Sequence, residues 1–249
     1  MTTFDELVEE GARAPVEGWD FAWFAGRATE ERPPWGYARL IGRRMAGAAA
    51  GLDVQTGGGE VLATIPTPPP VLAATESWPP NVALARQRLA PLGGVVHEVA
   101  DDAALPFPDG TFDLAVSRHP TLTVWDEIAR VLRPGGAYLS QQIGNGTMRE
   151  LTVAMMGPVP VGTARDTGRA VAAAEAAGLT VVDLREVALR AEFFDIGAVV
   201  HFLRKVIWTV PGFTVEAYRD QLRDLHERIR AEGSFVALSR RFLIEAVKR

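Results

Sequence analysis

Asp53 and Glu76, set around one run of glycines, are spaced to hold a polar ligand. Leu52-Asp53-Val54-Gln55-Thr56-Gly57-Gly58-Gly59-Glu60 reads as a buried strand end, an acid, a glycine-rich turn and the start of a helix. Consecutive glycines take every Cβ out of the turn, so a ligand can approach the backbone. Amides at a helix N-terminus suit a polar or charged ligand group. Glu76 closes the next apolar run, Val71–Thr75, at about 20 residues past Asp53, where open α/β folds place an acid on a ribose diol. A carboxylate can accept from both hydroxyls of such a diol. The competing reading is an exposed acid before Pro79-Pro80-Asn81; the register with the glycine turn favours the diol. Phosphate-cradling patterns fail. A dinucleotide G-x-G-x-x-G is broken by Gln55 and Glu60, and no Lys follows the glycines as G-x-x-x-x-G-K-[ST] requires.

Further on, Asp101 stands four residues before Leu105-Pro106-Phe107, followed by Pro108-Asp109-Gly110-Thr111-Phe112-Asp113. Arg130-Val131-Leu132-Arg133-Pro134-Gly135-Gly136 comes next. With the glycine turn and Glu76, these segments make residues 52–142 resemble the type 11 group of class I S-adenosylmethionine-dependent methyltransferases. The resemblance implies a Rossmann-like α/β fold, a seven-stranded and mostly parallel sheet whose last strand, Ser239–Lys248, runs antiparallel. It implies S-adenosylmethionine as cofactor, S-adenosylhomocysteine as product, and no metal. Carried over, the cofactor surface is Asp53, Gln55, Thr56, Gly57, Gly59, Glu76, Ser77, Asp101, Asp102, Ser117 and Arg118. Asp101 would accept from the adenine amino group and the Asp102 amide would face a ring nitrogen; a solvated turn is the other reading of this pair. Asp109-Gly110 reads as a turn and Asp113 as a fold-structural acid. Gln55 departs from the family's glycine. Its side chain either crowds the methionine moiety or turns outward and hydrogen-bonds it.

In this family the residues after the fourth strand face the acceptor. Here they are Ser117-Arg118-His119-Pro120, not an Asn-Pro-Pro-Tyr type, which disfavours an adenine amino group or a glutamine side chain as acceptor. His119 is the first candidate base because imidazole titrates near neutral pH, and His201 is the second. His97 and His226 read as structural. Trp23 and Phe24, from the aromatic run Trp19, Phe21, Trp23, Phe24 and Trp35, are candidate pocket residues; the alternative is a helical arm packing its rings. The stripe His201, Arg204, Lys205 and Trp208 either lines a substrate pocket or forms a solvated face with Arg204 resting on Trp208.

These residues need elements to position them. Helical spacing predicts a helix over Tyr37–Met45, a short one from Gly59 to about Ile65, and others over Val82–Leu89, Asp166–Ala177, Asp195–Trp208 and Thr214–Glu232. In the fifth, Ile196, Val199, Val200, Leu203 and Ile207 form the expected buried face. Strands are expected at Val71–Thr75, Gly94–Val99, Leu114–Val116, Ala137–Gln142 and Leu179–Val187, with a variable loop from Gly144 to Gly162. The expected organisation is a helical arm or lid (1–50), the cofactor-binding domain (51–194 and 234–249), and a two-helix insertion (195–233) serving as a substrate cap.

Composition narrows the function. A hydrophobic fraction of 47% in 249 residues supports one sizeable domain with a full core. The absence of cysteine excludes disulfides, thiol nucleophiles and Cys-based zinc sites. With no apolar run of membrane-spanning length and an acidic Met1–Glu6, the expectation is a cytoplasmic protein without membrane contact. The net charge of −5 shows no basic block, so nucleic acid is a disfavoured partner. The leading reading is a methyltransferase for a small-molecule acceptor, anionic if Arg118, Arg204 and Lys205 face it. One alternative is a degenerate methyltransferase fold with weak or no cofactor binding and a regulatory or interaction role. Another is an RNA methyltransferase. The methylated atom (O, N or C) and the oligomeric state stay open.

Overall fold

The computed structural model describes residues 2–16 and 21–249; Trp19 lies outside them. In chain order the elements begin with α1 (Phe4–Arg13), β1 (Ala28–Glu30), α2 (Tyr37–Ala46), β2 (Ala50–Asp53), β3 (Val71–Glu76), α3 (Pro79–Leu89), β4 (Val95–Glu98) and β5 (Phe112–Arg118). They continue with α4 (Trp125–Val131), β6 (Leu132–Ile143), α5 (Arg149–Met156), α6 (Thr167–Ala176), β7 (Leu179–Phe193), α7 (Ile196–Lys205), α8 (Arg219–Glu232) and β8 (Phe235–Lys248). The chain divides into two compact units.

The larger unit comprises Pro33–Gly144, Thr163–Val187 and Arg241–Arg249. Its strands follow the order β7-β8-β6-β5-β2-β3-β4. Strands β2 to β6 pair in parallel, and β8 runs antiparallel to β6. Parallel central strands are covered on both faces, which is why β2 is buried at every position. One face packs Leu72, Ala74 and Val116 against Tyr37, Ile41 and Met45 of α2. The other packs Leu52, Ala73 and Ala115, which share a row, against Phe112, Ile128 and Tyr138.

The helix expected from Gly59 to Ile65 is absent. A single 3-10 turn, Leu62–Thr64, stands in its place. Gly57 (φ 65°) and Gly59 (φ 79°) sit in the left-handed region and so lie outside any right-handed helix, which could begin no earlier than Glu60. Ile65 is extended ahead of Pro66, which ends the turn.

The smaller unit comprises Met1–Arg32, Asn145–Gly162 and Ala188–Arg240. Helices α1, α5, α7 and α8 pack through Val8, Leu151, Val199, Leu203, Leu222 and Ile229. α1 begins at a capping box between Thr3 and Glu6. α1 and α7 touch at Gly11 and Gly197, where a Cβ on Gly11 would lie 2.3 Å from the Gly197 carbonyl oxygen. Strand β1 pairs antiparallel with the far end of β7, Ala28 opposite Phe193, and so adds an eighth strand to the expected seven.

Unit boundaries differ from the expected organisation. Residues 33–50, including α2, belong with the sheet, whereas residues 145–162, 188–194 and 234–240 join the arm and the insertion. The variable loop contains α5, whose Leu151 and Met155 are buried in the helical core. Ile207, expected on the buried face of α7, lies beyond the helix end and is exposed.

Asp113 anchors the start of β2, the strand that carries the glycine turn. Its carboxylate accepts from the amides of Ala49 (2.9 Å) and Ala50 (2.8 Å) and from Arg133 (2.8 Å). Burial opposes the charge, but these two amides and the guanidinium hold the carboxyl below its ordinary value. Its stabilising effect is present above the unfolded-state pKa and lost as pH falls through the lower folded value. Asp113→Ala should destabilise the protein by about 1–3 kcal/mol at pH 7, and by less in acid. Urea unfolding at both pH values checks this.

Candidate active site

The parallel register brings the ends of β2, β3 and β5 to one edge of the sheet. Asp53 pairs with Ala74 on β3 and with Val116 on β5, and Glu76 ends β3 two residues beyond Ala74. Both acids are buried, Asp53 at 6% and Glu76 at 7% exposure. Glu76 accepts from the Gly57 amide (2.8 Å) and the Trp78 amide (3.0 Å), so it pins the glycine turn to the end of β3. It is therefore not an exposed helix cap. Asp53 accepts from the Thr56 hydroxyl (2.7 Å).

Most amides of the turn are already committed. Gln55 N donates to the Thr75 hydroxyl (3.2 Å), Thr56 N to the Thr75 carbonyl (2.9 Å) and Gly59 N to the Thr56 carbonyl (3.2 Å). With no α-helix behind it, the turn is not the helix N-terminus that its sequence suggested. What it offers a ligand is close approach to the backbone and flanking carboxylates. The turn is also braced from α3, where Arg88 donates to the Gly58 carbonyl (2.9 Å) and pairs with Glu60 (2.5 Å).

Burial pushes the Asp53 carboxyl up from an ordinary 3.8 to about 7; the Thr56 bond opposes this, Glu76 adds to it, and Arg118 opposes it. A raised folded-state pKa gives stability that is complete below the unfolded value and is lost as pH rises toward 7. Asp53→Asn keeps an acceptor for Thr56 and removes the buried charge. It should raise stability at pH 8 by up to about 4 kcal/mol and flatten the decline between pH 5 and 8, as thermal unfolding across that range would report.

Asp101 follows β4 and accepts from the Thr121 hydroxyl, whereas Asp102 is exposed and Ser77 half-buried. A cavity of about 20 Å³ lies between these loops, lined by Val54, Gln55, Thr75, Asp101, Leu122 and Tyr138. Ser117 is fully buried, and its hydroxyl bonds with Tyr138 (2.6 Å) and Ser140 (2.8 Å). Arg118 is exposed, and its charge acts on Asp53. Gln55 turns away from the strand and bonds with Thr121 and Leu122.

His119 sits in the left-handed region (φ 54°) with its amide on the Gln141 carbonyl (2.7 Å). The Trp35 indole can only donate, so it selects the Gln141 Oε1 (2.7 Å). That leaves the Gln141 Nε2 facing the His119 Nε2 at 3.0 Å, and a carboxamide nitrogen only donates. The imidazole proton therefore belongs on Nδ1. Burial first, then the charges of Arg118, Arg241 and Arg165, hold this histidine well below its ordinary pKa, and it is neutral. Arg165 and Arg241 were not candidates in the sequence. Arg241 comes beside the site only through the β6–β8 register, opposite Ile143.

The remaining candidates lie in the smaller unit. His201 is fully buried against Trp23 (4.6 Å) and Phe24 (4.9 Å), and among the described residues neither of its ring nitrogens has a hydrogen-bond partner. Arg204 does not rest on Trp208 as a solvated face would have it. It donates to the carbonyls of Gly11 and Ala14 (2.8 Å each), closing the end of α1. Lys205 is buried, with its ammonium 3.4 Å from the Val16 carbonyl and over the Phe21 ring. Trp208 is exposed. Trp23 carries the Arg27 guanidinium over its ring at 4.3 Å. Among the described residues no cluster of His, Cys, Asp or Glu could hold a metal ion, and no helix is long and apolar enough to cross a membrane.

A parallel sheet with an antiparallel last strand, and acids around a glycine turn at its carboxyl edge, define the class I methyltransferase fold. The structure of YcgJ from Bacillus subtilis superposes with a TM-score of 0.60 at 16% identity, covering 85% of this chain and 97% of that one. A second likeness is phosphoethanolamine N-methyltransferase 2 of Haemonchus contortus, in complex with phosphomonomethylethanolamine and S-adenosylhomocysteine. Its TM-score is 0.50 at 14% identity, over 86% of this chain and 52% of that one. Residues 52–140 match a family model described as a methyltransferase domain. The chain is also similar to the ubiquinone/menaquinone biosynthesis C-methyltransferase UbiE of Geobacter sulfurreducens, 39% identical over 97 residues. That match takes in 34% of this chain and spans well under half, 38%, of the relative's length.

Proposed function

We propose that the protein transfers a methyl group from S-adenosylmethionine to a small-molecule acceptor. The observation that carries this reading is the pair of buried acids, Asp53 and Glu76, on adjacent strand ends around a backbone-only turn. Burying two carboxylates side by side is costly without a partner that rewards it. A ligand bearing a vicinal diol and an ammonium group would reward both.

The donor set fits this cofactor: Glu76 for the ribose diol, Asp53 beside a cationic amino group, Asp101 for the adenine amine. The space between the loops does not yet fit it, since about 20 Å³ holds roughly one water. The bond between Gln55 and Thr121 has to part first. When bound, S-adenosylmethionine supplies a methyl group activated on a sulfonium, so the chain's own work is positioning. His119 is neutral, but its Nε2 lone pair is engaged by Gln141. It can take an acceptor proton only after Gln141 turns aside. The charges of Arg118, Arg165 and Arg241 around His119 support an anionic acceptor. Arg204 and Lys205, spent on backbone carbonyls, do not bear on that choice. The cysteine-free composition supports a cytoplasmic setting.

A second reading is favoured by the Gln55 bridge and the small cavity: a methyltransferase-fold protein that binds no cofactor and acts through protein contacts. Calorimetric titration with S-adenosylmethionine and S-adenosylhomocysteine decides between them. The first reading expects micromolar binding, weakened about tenfold or more in Glu76→Gln, which retains an acceptor for Gly57 but loses the charge-assisted bonds. Absence of binding by the wild-type protein would favour the second.

A further inference from the structure

Gln55 adopts a backbone conformation (φ 56°) that a non-glycine residue enters at a cost. Its side chain shows what holds it there. Oε1 accepts from the Thr121 amide (2.7 Å) and lies 3.0 Å from the Thr121 hydroxyl, while Nε2 donates to the Leu122 carbonyl (2.7 Å). One carboxamide thus pairs with the backbone of the loop after β5 much as a neighbouring strand would. A hydroxyl has one proton, and the shorter contact of Thr121 Oγ1 is with Asp101. That proton therefore goes to Asp101, and the Thr121 amide serves Gln55. The result is one continuous chain, Gln55 to Thr121 to Asp101, joining the loops after β2, β5 and β4 across the small cavity.

Asp101 is the acid that the proposed function assigns to the adenine amine. One oxygen of its carboxylate, Oδ2, accepts from Thr121, and Thr121 is held by Gln55. Resting on that reading, we propose that Gln55 is a built-in competitor of the cofactor. Its carboxamide keeps the loop after β5 bonded across the cleft, and cofactor binding requires this bridge to exchange for ligand contacts. Gln55 is then the residue that sets cofactor affinity. A site that is competent only while the bridge is open shows an apparent affinity reduced by the open fraction. If about one molecule in ten is open, removing the bridge strengthens binding about tenfold.

Two variants separate the bridge from simple bulk. Gln55→Gly removes both, and relaxes the left-handed backbone. Gln55→Met keeps the bulk but can neither accept from Thr121 nor donate to Leu122. The experiment pairs amide hydrogen exchange, read by NMR on the full chain without ligand, with calorimetry using S-adenosylhomocysteine. The expected result is that the Thr121 amide exchanges at least about tenfold faster in both variants, and that both bind S-adenosylhomocysteine about tenfold more tightly than wild type. Unchanged exchange at Thr121 overturns the bridge. Equal or weaker binding by the variants overturns the competition while leaving the cofactor reading in place. Tighter binding by Gln55→Gly alone assigns the effect to bulk, and the proposal falls. No binding by any of the three proteins removes the cofactor reading, and this proposal with it.

Discussion

The grip of Glu76 on the Gly57 amide is the contact on which the rest of the site depends. It ties the end of β3 to the turn leaving β2, so the turn needs no helix behind it to keep its shape. Thr75 adds a second tie, its carbonyl and hydroxyl taking the amides of Thr56 and Gln55. With most of the turn's backbone donors consumed internally, the polar capacity of the edge rests chiefly on carboxylates. That shift has an electrostatic consequence. Asp53 is left buried beside Glu76, with a single hydroxyl and a nearby guanidinium as its compensation, and its pKa rises to about 7. The edge is arranged to favour the arrival of positive charge.

What the sequence disclosed was what short-range pattern can encode. The motifs at residues 52–60, 71–76, 101–113 and 130–136 lie in the expected order at the expected strand ends, and the antiparallel last strand follows them. Each is a local arrangement of turn residues and apolar runs whose meaning survives without tertiary context. The helix after the glycine turn failed for an equally local reason. With Gly59 outside the helical region and Ile65 held extended by Pro66, only a short span remains, and it forms one 3-10 turn.

Other features depended on contacts between residues far apart in the chain, which periodicity does not reveal. Arg204 and Lys205 looked like a basic stripe on α7, yet both are spent on carbonyls at the end of α1 and just beyond it. His201 shares that stripe and is sealed among aromatic rings. Arg165 and Arg241 carried no signal in their own neighbourhoods; the first lies in a loop and the second is placed by strand register. Gln141 is similar. Its role in fixing the proton of His119 exists only because Trp35 reaches its other amide atom. A side chain's chemistry is readable from sequence, but its partner is not.

Gln55 shows how a departure from a family pattern becomes informative once its partners are visible. A glycine at that position would reach the left-handed conformation without strain and leave the loop after β5 untethered. Glutamine adopts the same backbone and adds both a donor and an acceptor at the distance where Leu122 and Thr121 present their complements. A side chain that merely drifted into the site would have no reason to satisfy all of its hydrogen-bonding atoms there, still less to do so on the loop that holds Asp101. Local rules broken in a well-satisfied setting tend to mark function, because the surrounding structure must over-determine the strained residue for it to persist. The same three loops that would enclose a cofactor are those that Gln55 joins. Their closure is therefore a property of the chain itself, and on the proposed reading a cofactor displaces it.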